Sequence, residues 1–333
     1  MKNFQEIDKK EYKDLLSKVS FSTFFHGIEW HDFLEKEFKW LKFEYYLYKD
    51  EAYNSETLLP LARFKVFGKE KLISLPFCEY GGPLRLGEFN IDEFNKDVLA
   101  EFGDSIKIKI WPQVSEPFGK ASNITSIASS HWLRDLKFKN EVWDSFRKTL
   151  RHEIEHAQKH NLEIRKSSNE QELKRFYDLY AANLKRKKTV PYPWPLIQFL
   201  CKNASSELLL AVYKGKVIAG CLFLNYSDNG FVHYFLSASD YRHRNLGANY
   251  LIIWEKIKGL IGQNKTLDLG ASPRGSNLEI FKRGWGGEEL PIYQIGAKKS
   301  EEHLRSSKLR NIWGLMPNFI VKKLSPYLIK YRL

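Results

Sequence analysis

Residues 237–254, SASDYRHRNLGANYLIIW, join a strand pattern to a helical pattern through a basic turn that contains Gly247. The apolar run after the turn is typical of a buried helix. The first N–H groups of a helix lack partners within the helix, and they lie at the positive end of its dipole. The stretch therefore predicts a fold that mixes strands and helices, with an anion site at this turn.

The patterns around this junction repeat one order of elements. Helices are predicted at residues 6–19 and 27–38, strands within 43–77, a helix at 88–104 and a strand at 105–112. The next cycle has a long helix at 142–160, helices at 170–187 and 195–203, a hairpin at 207–226 and a strand at 230–239. A helix at 247–262 and a strand at 266–270 complete it. This order predicts an α+β chain of two similar halves, 1–138 and 139–295, followed by a basic helical segment, 296–333.

Composition narrows the class of protein. The chain has 333 residues, 43% of them hydrophobic, and a net charge of +13. This excludes general disorder and favours an anionic partner, which is nucleic acid, an acidic membrane surface or a phosphorylated substrate. Three widely spaced cysteines, a charged N-terminal stretch and the lack of a long apolar run predict a cytoplasmic protein without structural zinc.

The turn RNLGAN resembles the R/Q-x-x-G-x-G/A turn with which GNAT acetyltransferases hold the pyrophosphate of coenzyme A. Arg244 and Gly247 match this turn, whereas Asn249 stands where the small residue is expected. The resemblance implies that these three residues contact the donor. The alternative is a helix start with a solvated arginine.

Three stretches in order, SLPFCEYGGPL (74–84), YFLSASDYRHRNLGANYLIIWE (234–255) and LDLGASPRGSNLEIFKRGWGG (267–287), resemble Fem-type aminoacyltransferases. The resemblance covers about residues 30–287. It implies two tandem GNAT-like units, with the C-terminal segment folding back on the first half. Fem proteins transfer an amino acid from aminoacyl-tRNA to a peptidoglycan precursor, and some relatives use acyl-CoA.

Five glycines in residues 268–287 suggest a shaped loop. The resemblance matches Phe281 and Lys282 to a Phe-Lys pair that faces the acceptor channel. A fixed Lys282 ammonium would stabilise the oxyanion of amide formation. The planar fork of Arg274 suits a phosphate. The alternative for both cations is a solvated surface position.

Two further stretches match acceptor or donor contacts of relatives. Tyr80, Gly81 and Gly82 form a predicted turn beside the acceptor cleft, or alternatively a strand end with a packed tyrosine. In residues 183–195 the resemblance aligns Arg186 and Tyr192 with a binding pattern whose usual glycine is replaced here. The alternative for this charge run is a solvated face.

The strand patterns predict His233, Tyr234 and Asp268 near the cleft. Asp268 is the candidate for orienting the attacking amine or taking its proton, with a buried structural role as the alternative. The histidines at 152, 156 and 160 share one helix face, but no distant ligand accompanies them. We therefore predict no metal site.

These patterns predict an acyltransferase that moves an aminoacyl group from aminoacyl-tRNA onto an amine of a peptidoglycan or other cell-envelope precursor. The first alternative is an acyl-CoA-dependent N-acyltransferase that acts on an amino sugar or a surface polysaccharide precursor. The second is a non-catalytic protein that binds RNA or glycan on a degenerate transferase fold. The lack of a long coiled-coil insertion favours acyl-CoA, whereas Asn249 favours tRNA. No tightly bound cofactor is predicted.

The segment 296–333 carries nine basic and two acidic residues. Its apolar residues alternate with lysines and are interrupted by Pro317 and Pro326. Short amphipathic helices with this composition lie on anionic membrane surfaces. The segment therefore predicts peripheral association with the cytoplasmic face of a membrane, and the alternative is packing onto the first half.

Overall fold

A computed structural model describes residues 3–50, 54–87, 90–103, 105–112, 124–226, 230–296 and 307–333. The elements of the first half are β1 (Phe4–Ile7), α1 (Lys9–Leu16), α2 (Ile28–Glu37), β2 (Leu41–Asp50), β3 (Ser55–Val66), β4 (Lys69–Ile73), β5 (Leu84–Arg85), α3 (Ile91–Phe102), β6 (Ile106–Ile110) and β7 (Thr125–Leu133).

The elements of the second half follow in a similar order. They are α4 (Lys139–Ser145), α5 (Lys148–Gln158), β8 (Glu163–Lys166), α6 (Glu170–Arg186), α7 (Trp194–Lys202), β9 (Ser206–Tyr213), β10 (Lys216–Tyr226), β11 (Phe231–Ser239), α8 (Ala248–Leu260), β12 (Thr266–Pro273), α9 (Asn277–Arg283) and β13 (Glu288–Gly296). The terminal helices are α10 (Ser307–Leu315) and α11 (Asn318–Leu328), and a 3-10 turn, Ile329–Arg332, follows them.

The two halves share one order of elements. A strand, two helices, three antiparallel strands, a helix and a strand parallel to the third follow one another as β1-α1-α2-β2-β3-β4-α3-β6 and again as β8-α6-α7-β9-β10-β11-α8-β12. The short β5 is an addition that pairs with β3. The predicted α+β fold of two similar halves is confirmed.

The halves are joined by an exchange of strands. The sheet runs β1-β2-β3-β4-β6-β13-β7-β12-β11-β10-β9-β8. Thus β7, which follows the first unit in sequence, pairs with β12 of the second, and β13 pairs with β6 of the first. Because β7 and β13 also pair with each other, separating the halves would break three ladders.

Two buried clusters cover the sheet. One lies under α8 and contains Trp254 and Trp285. The other extends across both halves and contains Trp30 and Phe235, so that the first and second units share a core. In that core Phe25 contacts the rings of both residues, at centroid distances of 5.6 and 5.0 Å.

The prediction of one helix at 142–160 is wrong in one respect, because the structure has two helices here, α4 and α5. The backbone is extended at Phe146 and Arg147. The Arg147 N–H donates to the Gly284 carbonyl oxygen at 2.9 Å, and its guanidinium donates to the Ile280 carbonyl oxygen at 2.8 Å. The Arg147 N–H is thus bonded outside the helices, while its carbonyl oxygen accepts the Leu150 and Arg151 N–H groups at the start of α5.

Residues 268–287 are also more regular than the glycine content suggested. The Ser276 hydroxyl accepts the Glu279 N–H at 3.2 Å and caps α9, and Gly284 follows the last residue of that helix. Lys282 therefore projects from a helix and not from a loop. The neighbouring Trp285 is fully buried against Phe146, with ring centroids 5.2 Å apart.

The terminal helices pack chiefly on α6 of the second half. The Trp313 indole donates to the Thr189 carbonyl oxygen at 3.2 Å, and Lys322 donates to Asp178 at 2.7 Å. The final residues reach the first half, where Tyr331 contacts Phe67 with ring centroids 4.9 Å apart. Of the predicted basic segment, residues 297–306 lie outside the described residues.

We predict that the exchanged strands make the two halves unfold together. Replacing the fully buried Ile292 of β13 by alanine should lower the free energy of unfolding by about 2–5 kcal/mol and leave a single transition. The matched control is Ile312→Ala on the exposed side of α10. Denaturant unfolding followed by fluorescence and circular dichroism tests this, and two separate transitions would contradict it.

Candidate active site

A gap opens in the sheet where β11 and β12 part. These parallel strands pair from Phe231↔Thr266 as far as His233↔Asp268. Beyond this point β11 continues beside β10, and β12 continues beside β7. A register shift between Asp268 and Ala271 and a positive φ of 77° at Gly270 turn β12 away.

The gap is filled from the first half by Glu79. Its Oε2 accepts the Ala271 N–H at 2.6 Å and lies 3.1 Å from His233 Nε2. A Cβ atom at position 270 would lie 2.3 Å from the same oxygen. Glycine is therefore required at 270 both by its φ and by the approach of the carboxylate.

Lys282 reaches the same backbone segment from α9. Its buried ammonium donates to the Ala271 carbonyl oxygen at 2.9 Å, so Ala271 binds Glu79 and Lys282 through its two backbone groups. Burial lowers the pKa of Lys282, and the negative charges of Glu79 and Asp268 partly oppose this shift. An ammonium with one bond to a carbonyl has two further protons to donate.

The charge on Glu79 is stabilised by its surroundings. Burial by itself would raise the pKa of the Glu79 carboxyl. The Lys282 ammonium and the bonds from His233 and the Ala271 N–H outweigh burial and hold this pKa below its ordinary value. Glu79 is thus ionised at neutral pH.

Asp268 lies behind this pair. Its Oδ1 accepts the Ser130 hydroxyl at 2.6 Å and the Gly270 N–H at 2.7 Å. Burial raises the pKa of Asp268 well above its ordinary value, although the Gly270 bond acts in the opposite direction. Because Asp268 is fully buried and its Oδ1 is already bonded to Ser130 and Gly270, this geometry suits a positioning role for Asp268.

His233 is held between two tyrosines. The Tyr226 hydroxyl lies 2.6 Å from Nδ1, and the ring of Tyr80 stacks on the imidazole with centroids 5.6 Å apart. With Nε2 beside Glu79, both ring nitrogens are occupied. His233 therefore fixes the orientation of Glu79.

Glu79 connects this buried cluster to solvent, because 26% of its side chain is exposed while His233, Asp268 and Lys282 are buried. The sequence analysis did not place Glu79 among the site residues. The available signal was that it is the sole acid in the turn 74–84.

The turn that carries Glu79 is fixed by its glycines. The Gly81 N–H donates to the Lys109 carbonyl oxygen at 2.9 Å, and the Gly81 carbonyl oxygen lies 2.8 Å from His26 Nε2. A Cβ at Gly82, where φ is 45°, would lie 2.9 Å from the Ile110 Cα. Tyr80, Gly81 and Gly82 therefore place Glu79 in the gap.

Other predicted site residues lie elsewhere. Tyr234 packs in the core on the α8 side of the sheet. Phe281 packs on Tyr250 and Trp285, with ring centroids 5.4 and 6.2 Å apart. Arg274 is exposed in the turn before α9. The structure thus separates Phe281 from its neighbour Lys282.

Tyr192 bridges the halves near the Glu79 turn. Its hydroxyl donates to the Phe77 carbonyl oxygen at 3.3 Å, and the Arg332 guanidinium lies 4.7 Å from its ring centroid. Burial raises the pKa of this hydroxyl. The residue therefore supports the turn that positions Glu79.

The predicted anion turn precedes α8. Gly247 has a left-handed φ of 64° at the N-cap of this helix. Arg244 and Arg186 lie over the ring of Tyr241, 4.2 and 4.0 Å from its centroid. The Asn249 side chain is half-buried, and its Oδ1 has no hydrogen-bond partner within the described part of the chain. The structure thus brings the two arginines together at this turn.

Within the described ranges, no three histidine, cysteine or acidic residues are grouped to hold an ion. His156 Nε2 lies 3.0 Å from both His160 Nε2 and the Asn245 carbonyl oxygen, which connects α5 to the anion turn.

A family described as acetyltransferase (GNAT) domain matches residues 144–283. The second half is similar to a GNAT acetyltransferase domain. The match includes the parted strands, the anion turn and Lys282. Among curated protein sequences, none matches this chain significantly.

Solved structures extend the likeness to the whole chain. The crystal structure of FemX superposes with a TM-score of 0.61 at 12% identity, covering 91% of this chain and 99% of that one. The L-PGS structure from Bacillus licheniformis gives 0.52 at 11% identity, covering 94% and 99%. The C-terminal domain of a putative lysylphosphatidylglycerol synthetase from Agrobacterium fabrum gives 0.52 at 12%, covering 86% and 89%.

These comparisons confirm the Fem-type, tandem GNAT-like fold and the prediction that the chain is an acyltransferase. Among the described residues, no helix is both long enough and apolar enough to span a membrane.

We predict that the contact between Gly270 and Glu79 holds the site together. Gly270→Ala should destabilise the protein by more than Gly275→Ala. Both positions have a positive φ, but a Cβ has open space at 275 and meets Glu79 at 270. The backbone penalty of about 1 kcal/mol is common to both. Equal unfolding free energies for the two variants would contradict the packed position of Glu79.

The lowered pKa of Glu79 predicts a pH dependence of stability. Because folding favours its ionised form, Glu79 stabilises the protein above its ordinary pKa of 4.5, and this contribution is lost as the pH falls through the lower pKa of the folded state. The difference in unfolding free energy between wild type and Glu79→Gln should therefore shrink below pH 4.5. A difference that grows on acidification would show that the pKa is raised.

Proposed function

We propose that this protein forms an amide by transferring an aminoacyl group from aminoacyl-tRNA to an amine of a peptidoglycan or other cell-envelope precursor. The proposal rests on one observation, the opposed charges of Glu79 and Lys282 on the two backbone groups of Ala271. Only the Glu79 end of this arrangement reaches solvent to an appreciable extent. A reacting amine can therefore reach the Glu79 carboxylate from solvent, and the buried Lys282 ammonium supplies a fixed positive charge close to it.

The proposed chemistry is a nucleophilic acyl transfer. The Glu79 carboxylate binds the acceptor amine and orients its lone pair. The amine nitrogen bonds to the ester carbonyl carbon, and Lys282 stabilises the negative charge that develops on the carbonyl oxygen. The ester C–O bond then breaks, and the proton lost by the amine passes to the leaving ribose hydroxyl. Asp268 and His233 position the two charged groups.

The filled gap supports an ester presented from solvent. An acyl-CoA arm threaded between β11 and β12 would have to displace Glu79, whose carboxylate is bound to Ala271. Asn249 also departs from the small residue of the pyrophosphate turn. The lysylphosphatidylglycerol synthetases that share the fold are named for an aminoacylated product. For the acceptor, the ionised Glu79 suits an amine, and the Fem-type resemblance supports a cell-envelope precursor.

A second candidate is acyl-CoA-dependent N-acylation of an amino sugar or surface polysaccharide precursor. The observation that favours it is the turn before α8, where Gly247 has the left-handed conformation and Arg244 is exposed at the helix N-terminus. This arrangement suits a pyrophosphate. The match to an acetyltransferase (GNAT) domain supports the same donor.

The donor can be decided with purified protein. We expect transfer from radiolabelled aminoacyl-tRNA to a lipid-linked or nucleotide-linked peptidoglycan precursor, and no transfer from acetyl-CoA to the same acceptors or to amino sugars. Calorimetry should show tRNA binding and no tight binding of coenzyme A. Turnover with acetyl-CoA alone would replace the proposal by the second candidate.

Two neighbours on α9 provide a matched test of the catalytic assignment. Lys282→Gln should lower kcat by about 10²-fold or more, because it removes a cation beside the developing oxyanion. Arg283→Gln should retain activity, since Arg283 is exposed and pairs with Glu289. Lys282→Arg should not restore activity, because the planar fork does not fit a compact buried site. Full activity in Lys282→Gln would exclude this residue from catalysis.

The same assay tests Glu79. Glu79→Gln keeps the size of the side chain but removes the charge that holds the amine, so kcat/KM should fall by about 10²-fold. The unfolding free energy measured in parallel separates loss of function from loss of structure. An unchanged kcat/KM in a folded variant would contradict the role of Glu79.

A further inference from the structure

A second site is formed by the C-terminal helices, at a distinct place in the fold. A cavity of about 500 Å³ opens between α6, the turn after β11 and α11. Its charged lining residues are Arg175, Asp178, Arg186, Asp240, Arg242 and Lys322. Nothing in the proposed chemistry uses this cavity.

The cavity carries an excess of positive charge. Four of its lining residues are basic and two are acidic. Asp178 is bonded to Lys322 at 2.7 Å, and Asp240 to the Arg242 guanidinium at 2.7 Å. Bonds from Arg242 hold the pKa of Asp240 well below its ordinary value, so this acid stays ionised and satisfied.

Arg186 is the basic lining residue that pairs with neither of these two acids. Its guanidinium lies over the Tyr241 ring, and within the described residues no carboxylate forms an ion pair with it. Arg244 lies over the same ring from outside the cavity. Two guanidinium groups this close to one ring favour an anion between or beside them.

The mouth of the cavity is apolar. Phe319 lines the cavity and is 67% exposed, and Leu315, four residues earlier, is 85% exposed. On α11 the side chains of Phe319, Lys323 and Tyr327 recur every four residues and all are exposed, so they share one face. Residues 307–333 contain six basic residues and no acidic ones.

This exposed face is not needed to hold the helices in place. The opposite face of α11 is buried through Val321 and Ser325, and Ile329 follows in the same row. The Trp313 indole bond to Thr189 fixes α10. The terminal helices thus pack on the rest of the protein through one face, and their outer face is apolar and flanked by cations.

We propose that the cavity binds the phosphate of an anionic phospholipid, and that the exposed face of α10 and α11 lies on the bilayer that contains it. A basic recess beside exposed leucine and aromatic side chains matches both parts of such a surface, the charged headgroup and the acyl region below it. A nucleic acid would use the cations but would leave Leu315, Phe319 and Tyr327 in water. This inference goes beyond the acyl-transfer proposal and does not depend on the donor.

Vesicle sedimentation of the full chain tests this proposal. Wild type should bind vesicles of phosphatidylcholine and phosphatidylglycerol (7:3) at low salt, and at least tenfold more weakly to pure phosphatidylcholine. Phe319→Ser should lower binding to the mixed vesicles about tenfold. Phe138→Ser, at a 62% exposed position on α4's N-cap, is the matched control and should bind as wild type does. Equal melting temperatures establish that both variants are folded.

A second variant tests the cavity. Arg186→Gln should reduce the preference for the phosphatidylglycerol vesicles several-fold, and soluble glycerol phosphate should compete only weakly. Strong competition by glycerol phosphate, with binding unaffected in Phe319→Ser, would indicate a free phosphate and overturn the bilayer assignment. Loss of tRNA binding in Arg186→Gln with vesicle binding intact would assign the cavity to nucleic acid instead. Failure of wild type to bind the mixed vesicles would reject the proposal outright.

Discussion

The site depends on the hydrogen bond between Glu79 and the Ala271 N–H. This bond closes the gap that the parted strands leave, and it links a turn of the first half to a strand of the second. It requires Gly270, because any larger residue would meet the carboxylate. It also brings an anion close to Lys282, which is bonded to the carbonyl of the same residue. Each charge is tolerated under burial because the other is present.

The exchange of strands explains why such a bond persists between two halves. Ser130, which donates to Asp268, lies on a first-half strand that is built into the second-half side of the sheet. Glu79 approaches the same segment from another part of the first half. The cluster is therefore assembled from both halves, and neither half contains a complete site. A single GNAT unit would lack both Glu79 and Ser130.

The cationic surface groups of the molecule lie outside this buried cluster and include none of its residues. Arg186 and Arg244 meet at the ring of Tyr241, between the anion turn of α8 and the cavity beside α11. The terminal helices dock on α6 through their buried face and leave an apolar, basic face outside. The groups proposed for acyl transfer and the surface proposed for phospholipid binding thus lie on separate parts of the molecule.

The sequence by itself determined the α+β class and the two similar halves, and it predicted Lys282 as a site residue, because periodicity, turn residues and the Fem-type motifs are local signals. It also marked the anion turn, since Gly247 and Arg244 lie in one short stretch. It did not determine the break at Arg147, the helix that carries Lys282, or the separation of Phe281 from Lys282. Those depend on hydrogen bonds and packing between distant segments. Glu79 became a candidate site residue only through its contact with Ala271, 192 positions away in sequence. Tertiary structure alone could decide this, because no local pattern records which strands part and what fills the gap.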